Sequence, residues 1–255
     1  MILALDIGNT NIAFGLCRDG EILSQWRIGT DKTRTSDEYG ILLRSLIETR
    51  DIGADTVTGA IISCVVPPLL GPLTDTVRDH FNVSPIIVGP GVKTGMPILY
   101  SNPKEVGADR IVNGVAAYNK YKKAVVVVDF GTATTFDCIS QSGEYIGGVI
   151  APGLQISSEA LFNAASKLPK VEIVRPRTVV GKTTVESMQS GLVYGYAGLV
   201  DGIVERIRRE MDVKVRVVAT GGLSALIAKE SKTIEEVDDL LTLKGLMLIY
   251  EWNRP

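Results

Sequence analysis

The stretch "ALDIGNTNIAFGL", Ala4 to Leu16, decides the fold, because "VVDFGTATTFDCI", Val127 to Ile139, repeats its pattern in the second half of the chain. Laying Ile2–Leu23 over Val125–Ile146 pairs Asp6 with Asp129, Gly8 with Gly131, Gly20 with Gly143 and Glu21 with Glu144. In each copy an apolar run reads as a buried strand and a polar tight turn follows. A second strand then runs to "DGE" or "SGE", and a third returns as "EILSQWRI" or "EYIGGVI". Each half therefore opens as an antiparallel meander and not as the strand–helix–strand unit of dinucleotide binders.

After the first meander, "TSDEYGILLRSLIE" predicts a helix. Thr35 and Glu38 are spaced as a capping box, and Tyr39, Leu42, Leu43, Leu46 and Ile47 form an apolar stripe. "TGAIISCVV" is a strand stopped by Pro67 and Pro68. In the second half, Val185 to Met211 predicts a long helix, "KVRVVATGG" a strand ending in a glycine turn, and "TLKGLMLIYEW" a short final helix. Each half thus reads three strands, helix, strand, helix. With no low-complexity linker, two domains are expected, 1–118 and 119–255, joined near "NKYKKA" and facing each other across a cleft. The final helix could pack back toward the first of them.

The 255 residues, 45% of them hydrophobic, suffice for two modest cores, since domains run roughly 100 to 150 residues. A net charge of -2 supplies no concentrated basic face, so neither a nucleic-acid groove nor an anionic membrane surface is expected as a partner. No apolar run approaches the roughly 20 residues of a membrane span and no basic leader precedes the first strand, so a soluble cytoplasmic chain is expected. Cys17, Cys64 and Cys138 match no metal-ligand spacing and read as buried reduced thiols. The single histidine, His80 in "VRDHF", is expected to cap carbonyls at a helix end. Its isolation leaves carboxylates as the available bases.

A strand-end Asp followed by Gly and small polar residues suits phosphate handling. Glycine lets the backbone approach an anion, exposed N–H groups cradle its oxygens, and Asn9, Thr10 and Asn11 add donors. The carboxylate at the same spot calls for a cation, so Asp6 is expected to face hydrated Mg2+ and Asp129 a second cation position. Either turn alone would be an ordinary hairpin turn; two copies with matched hairpins favour function. "GKTT", Gly181 to Thr184, fails as a P-loop because Pro176 stands where the first loop glycine belongs. "GPGVKTG", Gly89 to Gly95, lacks both nucleotide-loop spacings.

In "YSNPKEVGADRIVNG", Asn102 is a candidate N-cap, Pro103 suits a first helical position and Glu105 completes a capping pair. Asp109 and Arg110 would then sit about two turns into a helix, with Gly107 leaving space beside them. Beside bound ATP, Asp109 could accept a hydroxyl proton while Arg110 holds an anionic group; as a charge pattern alone the pair could equally be solvated surface. Gly191, Gly195, Gly198 and Gly202 share one helical face and together forfeit roughly 4 kcal/mol of helix propensity against alanine. Close approach of another backbone would offset that, either the sheet beneath or a partner helix across a dimer.

The duplicated Asp-x-Gly turns with a late "ATGG" resemble the superfamily of actin, sugar kinases and heat-shock chaperone ATPases. Within it, "DIGNTN", "SCVVP", "GPGVKTG", "NPKEVGADR", "DFGTATTFD", "GGVIAPG", "GKTTVESMQSG", "ATGG" and "LTLKGLMLIYE" are together similar to type III pantothenate kinases, in that family's order along nearly the whole chain. The resemblance implies an α/β fold of two related ribonuclease-H-like (actin-like ATPase) domains, each a mixed sheet flanked by helices, with ATP in the cleft between them. It implies ATP-dependent phosphorylation of pantothenate to 4'-phosphopantothenate, the first step of coenzyme A biosynthesis, without feedback inhibition by coenzyme A. Carried over by position, Asp6, Ile7, Gly8, Asn9, Thr10, Asn11, Ile12 and Ala13 would form the first phosphate loop, and Thr132 would bind nucleotide in the second. Asp129 would ligate the K+ or NH4+ required beside Mg2+, and Asp6 would face Mg2+ through water. Tyr100, Gly107, Ala108, Asp109, Arg110 and Thr184 would bind pantothenate, with Asp109 as general base, in a homodimer. Two rival readings are another small-molecule kinase of the same fold and a non-catalytic ATP-binding regulator.

Overall fold

The computed structural model describes residues 1–254. Its elements in chain order are β1 (Ile2–Ile7), β2 (Asn11–Arg18), β3 (Glu21–Gly29), α1 (Ser36–Glu48), β4 (Gly59–Cys64), α2 (Pro67–Phe81), β5 (Ile86–Ile87) and α3 (Ala108–Tyr121). They continue with β6 (Val125–Phe130), β7 (Ala133–Ile139), β8 (Tyr145–Pro152), α4 (Leu154–Ala164), α5 (Thr184–Met211), β9 (Arg216–Thr220), α6 (Ser224–Ala228), β10 (Glu236–Val237) and α7 (Leu241–Asn253). The chain divides into two compact units. The first comprises Met1–Met96, Tyr100–Ala116 and Leu241–Pro255, and the second Pro97–Leu99 and Ala117–Leu240.

The first unit holds a five-stranded sheet in the order β3-β2-β1-β4-β5. β1 pairs antiparallel with β2 and parallel with β4, so the sheet is mixed. Alternation along the strands splits its two faces. Leu3, Leu5, Ile7, Ala60 and Ile62 join Tyr39, Leu43 and Ile47 of α1 and Leu69, Leu73 and Val77 of α2 in one core. The opposite face lies under α7. A Cβ added to Gly59 would lie 1.9 Å from the Tyr250 hydroxyl, and one on Gly15 would lie 3.0 Å from Leu243. Helix α3 packs on α7 so closely that a Cβ on Gly245 would lie 2.2 Å from the Val112 carbonyl. Thr242 reinforces that crossing by donating to Asn113 Oδ1 at 2.7 Å.

The second unit repeats the plan with the order β10-β9-β6-β7-β8, β6 antiparallel to β7 and parallel to β9. Val126, Val128, Phe136, Val217 and Ala219 pack against Val193, Ala197, Val200 and Val204 of α5. The repetition extends to irregularities. Both meanders carry a bulge, and its extra residue is Leu23 in the first and Ile146 in the second, positions equivalent in the sequence repeat. Helix α4, between β8 and α5, has no counterpart in the first unit and was not among the expected elements.

Helix α1 starts as its sequence predicts. Thr35 accepts from the Glu38 amide at 3.3 Å while Glu38 Oε2 accepts from the Thr35 amide at 2.7 Å. His80 corrects an expectation. Its Nε2 stands 3.1 Å from Asp37 Oδ1, so the ring reaches across to α1 and does not cap its own helix. Arg44 takes the capping task, donating to the His80 carbonyl at 2.7 Å.

Candidate active site

In the first unit the turn after β1 is built by its own backbone. The Gly8 amide donates to Asn11 O at 3.0 Å, and Thr30, just past β3, ties the turn down by donating from Oγ1 to Gly8 O at 2.6 Å. Asn9, Thr10 and Asn11 are exposed, Ile7 and Ile12 are buried, and Asp6, Gly8 and Ala13 are half-buried. The carboxylate thus ends a buried strand beside a solvent-facing polar turn. It also lies at the carboxyl edge of the parallel pair β1 and β4, the edge where α/β sheets bind ligands. The adjacent junction is pinned to it, the Val65 amide donating to Ile7 O at 3.0 Å.

The segment before α3 differs from its expectation. Asn102 does cap, accepting from the Lys104 amide at 3.3 Å and donating to Glu105 Oε1 at 2.8 Å, but what it starts is a 3-10 turn, Pro103–Glu105. Val106 is extended with ψ 120°, which stops that turn. A new helix begins at Ala108, so Asp109 stands in a first turn and not two turns inside. A carboxylate there is favoured by the helix dipole. Asp109 Oδ1 accepts from the Arg110 amide at 2.8 Å. Burial nevertheless pushes the Asp109 carboxyl above the ordinary carboxylate range, with the Arg110 amide and guanidinium pulling the other way.

Gly107 explains the pose. A Cβ there would lie 2.5 Å from Asp109 Oδ1 and 3.4 Å from Val65 Cγ1. The carboxylate folds back over Gly107, and Gly107 rests on the residue whose amide is tied to Ile7. The first unit therefore brings the Asp6 turn, Val65 and Gly107–Arg110 to one sheet edge. Tyr100 is half-buried and directly follows Pro97–Leu99, which pairs beside β8 in the second unit.

In the second unit Asp129 is the penultimate residue of β6 and Thr132 lies in the turn to β7, where the Gly131 amide donates to Ala133 O at 3.1 Å. Two glycines crowd this turn, and the sequence did not reveal their contacts. Gly221, at φ +92°, sits where a Cβ would lie 2.6 Å from Asp129 Oδ1 and 2.7 Å from Phe130 O. A Cβ on Gly153 would lie 2.2 Å from Thr132 O. The signal available was the glycine immediately after a strand in "ATGG" and "APG". Thr184 belongs to a different feature. It is exposed as the first residue of α5, behind the Thr183 N-cap that accepts from the Glu186 amide at 3.2 Å. It lines an apolar groove of about 840 Å³ between α4 and α5, whose walls include Leu161, Met188, Leu192 and Tyr196.

Two mixed five-stranded sheets, each with a meander ending in an aspartate–glycine turn beside a parallel strand, define the class: the actin-like fold of sugar kinases and ATPases. The inorganic polyphosphate/ATP-glucomannokinase of Arthrobacter sp. strain KM shares it, with a TM-score of 0.52 at 13% identity over 99% of both chains. A model of the type III pantothenate kinase family matches residues 2–206. Relatives named type III pantothenate kinase are 60% identical in Pelobacter propionicus, over 100% of both chains, and 58% identical in Syntrophobacter fumaroxidans, over 100% of this chain and 99% of that one. The chain belongs to the type III pantothenate kinase family.

Proposed function

We propose that this chain phosphorylates the primary hydroxyl of pantothenate with ATP, giving 4'-phosphopantothenate in the first step of coenzyme A biosynthesis. The observation that carries this reading is 60% identity along the full length to a relative named for that activity.

The residues suit the groups such a reaction needs. Asp6 lies near the end of its strand beside a turn of exposed residues, Asn9, Thr10 and Asn11, a set that fits the phosphates of ATP and a hydrated Mg2+. Gly221 packs closely on Asp129 Oδ1 and Phe130 O, and the Asp129 carboxylate in that turn is the proposed ligand of a monovalent cation, K+ or NH4+. Bound there, the two cations would offset the charge on the transferring phosphoryl group.

In the proposed mechanism the turn from Asp6 to Ala13, with Thr132, holds the nucleotide phosphates. Tyr100, Gly107, Ala108 and Arg110 hold pantothenate, Arg110 matching its carboxylate. Asp109 takes the proton from the substrate hydroxyl at its carboxylate as that oxygen attacks in line. A carboxyl made more basic by burial is better matched to that task than an ordinary one.

The active species is proposed to be a cytoplasmic homodimer. Gly191, Gly195 and Gly198 of α5 are exposed, and beyond their own helix backbone no heavy atom among the described residues lies within 4 Å of an added Cβ, so no other described segment exploits their smallness. The same region exposes Ile156, Leu161, Phe162 and Val185. No helix among the described residues is long and apolar enough to cross a membrane.

The test is ADP release from Mg-ATP and pantothenate, run in parallel in K+ and Na+ buffers. Pantothenate-dependent turnover that needs K+ supports both the substrate and the cation position. A folded protein that binds ATP yet turns over in neither buffer would overturn the pantothenate assignment.

A further inference from the structure

The proposed phosphate turn has a neighbour with no assigned part. Ser63, on β4, is the register partner of Asp6 on the parallel strand β1. Register partners on adjacent parallel strands project to the same side of a sheet. That side is not the α1–α2 core, which takes Leu5, Ile7 and Ile62; it is the side of α7 and α3, and α3 carries Asp109. Ser63 is fully buried, and its Oγ has no hydrogen-bond partner among the described residues. A buried hydroxyl without a partner is destabilising, and alanine would fill a small strand position without that penalty.

The second unit repeats the juxtaposition. Thr220, on β9, is the register partner of Asp129 on the parallel strand β6, and it is 2% exposed. Each aspartate turn thus has a buried hydroxyl beside its carboxylate, on the strand that the meander does not supply. Independent hairpin turns would give no reason for that second coincidence.

We propose that Ser63 is a positioning residue of the first phosphate turn, its hydroxyl serving the hydrated divalent ion that accompanies ATP beside Asp6. This rests on the nucleotide reading given under Proposed function. The hydroxyl can both donate and accept, so it suits a water shell whose orientation is set from the other side by a carboxylate.

The test compares wild type, Ser63→Ala and Ser63→Thr as full-length proteins. Calorimetric titration gives the Kd for ATP with magnesium and for ATP in EDTA, and a thermal melt without ligand reports on folding. The expected result is a Kd for Mg-ATP at least tenfold weaker in Ser63→Ala, an unchanged Kd for metal-free ATP, and an unliganded Tm equal to or above wild type. Ser63→Thr, which keeps the hydroxyl, should recover most of the lost affinity. Equal weakening with and without magnesium, or wild-type Mg-ATP affinity in Ser63→Ala, would overturn the proposal and leave Ser63 as packing. Wild type that binds no ATP would overturn it together with the reading beneath it. Wild type that binds Mg-ATP but ignores pantothenate sinks only the substrate assignment, and the magnesium-dependent difference still decides the role of Ser63.

Discussion

At the scale of the residue, Asp109 combines two opposed demands. Its carboxyl titrates above the ordinary carboxylate range because burial penalises the charge. Between the unfolded and folded pKa the native state holds the proton more tightly, so stability falls as pH rises through that window, and the penalty is complete above it. Removing the charge should therefore raise stability at neutral pH while removing the proposed base. Asp109→Asn is expected to lower kcat by orders of magnitude, keep Mg-ATP affinity, and raise the unliganded Tm at pH 7 but not at pH 3; a lowered Tm at pH 7 would make the residue structural. The same sign predicts that the acid limb of the pH–kcat profile lies above the usual carboxylate range. Gly107 sets the pose of that carboxylate, since a Cβ would stand 2.5 Å from Oδ1. Gly107→Ala should cost about 100-fold in kcat, the scale of a misplacement near 1 Å, with little change in Mg-ATP Kd. At the second turn Gly221→Ala meets both a φ of +92° and Asp129 Oδ1 at 2.6 Å. Loss of K+ stimulation ahead of ATP affinity is the expected kinetic signature, and retained K+ stimulation would count against the proposed cation position at Asp129.

At the scale of the element, what sequence conveyed was local and what it missed was contact. The Thr35–Glu38 capping box was legible because both of its hydrogen bonds close within four residues. Thr35→Ala should cost about 1 kcal/mol, read as a lowered urea midpoint at unchanged m-value. The start of α3 was misread because Asn102 and Pro103 begin a 3-10 turn with the same cap chemistry as a helix, and only the extended Val106 separates the two. His80 was misread because its partner lies on another helix, which no spacing within α2 can reveal. Gly40 is the other half of that contact: a Cβ there would lie 2.2 Å from the imidazole. Gly40→Ala should destabilise by about 1 to 3 kcal/mol through overpacking, despite alanine's better helix propensity. In a double-mutant cycle the same change should cost far less in a His80→Ala background. Equal costs in both backgrounds would show that the ring is not what the glycine accommodates.

At the scale of the whole molecule, duplication was legible because it is written in turn punctuation, and both sheets reproduce it down to the bulge at Leu23 and Ile146. The aspartate turns were legible for the same reason, whereas the glycines packed on Asp129 and Thr132 arrive from distant segments, so their position after a strand is written locally but their contacts are not. The stripe on α5 was legible as a pattern but not as a cause, because sequence could not tell a sheet beneath from a partner outside. The structure separates these alternatives within the chain. Val193, Ala197, Val200 and Val204 supply the face that meets the sheet, and the glycines at 191, 195 and 198 lie on the exposed side. The proposed dimer would account for a helix that forgoes about 1 kcal/mol at each glycine, since a two-fold pairing would bring one α5 against its copy. Sedimentation should therefore give twice the 27.4 kDa chain mass for wild type. Gly195→Trp should give the single mass with the unliganded fold intact by circular dichroism. If the substituted protein remained dimeric at micromolar concentration, α5 would not be the interface and the open glycines would need another occupant. If instead the wild type sedimented as a monomer while turning over pantothenate, catalysis would be complete within one chain and the dimer reading would fall.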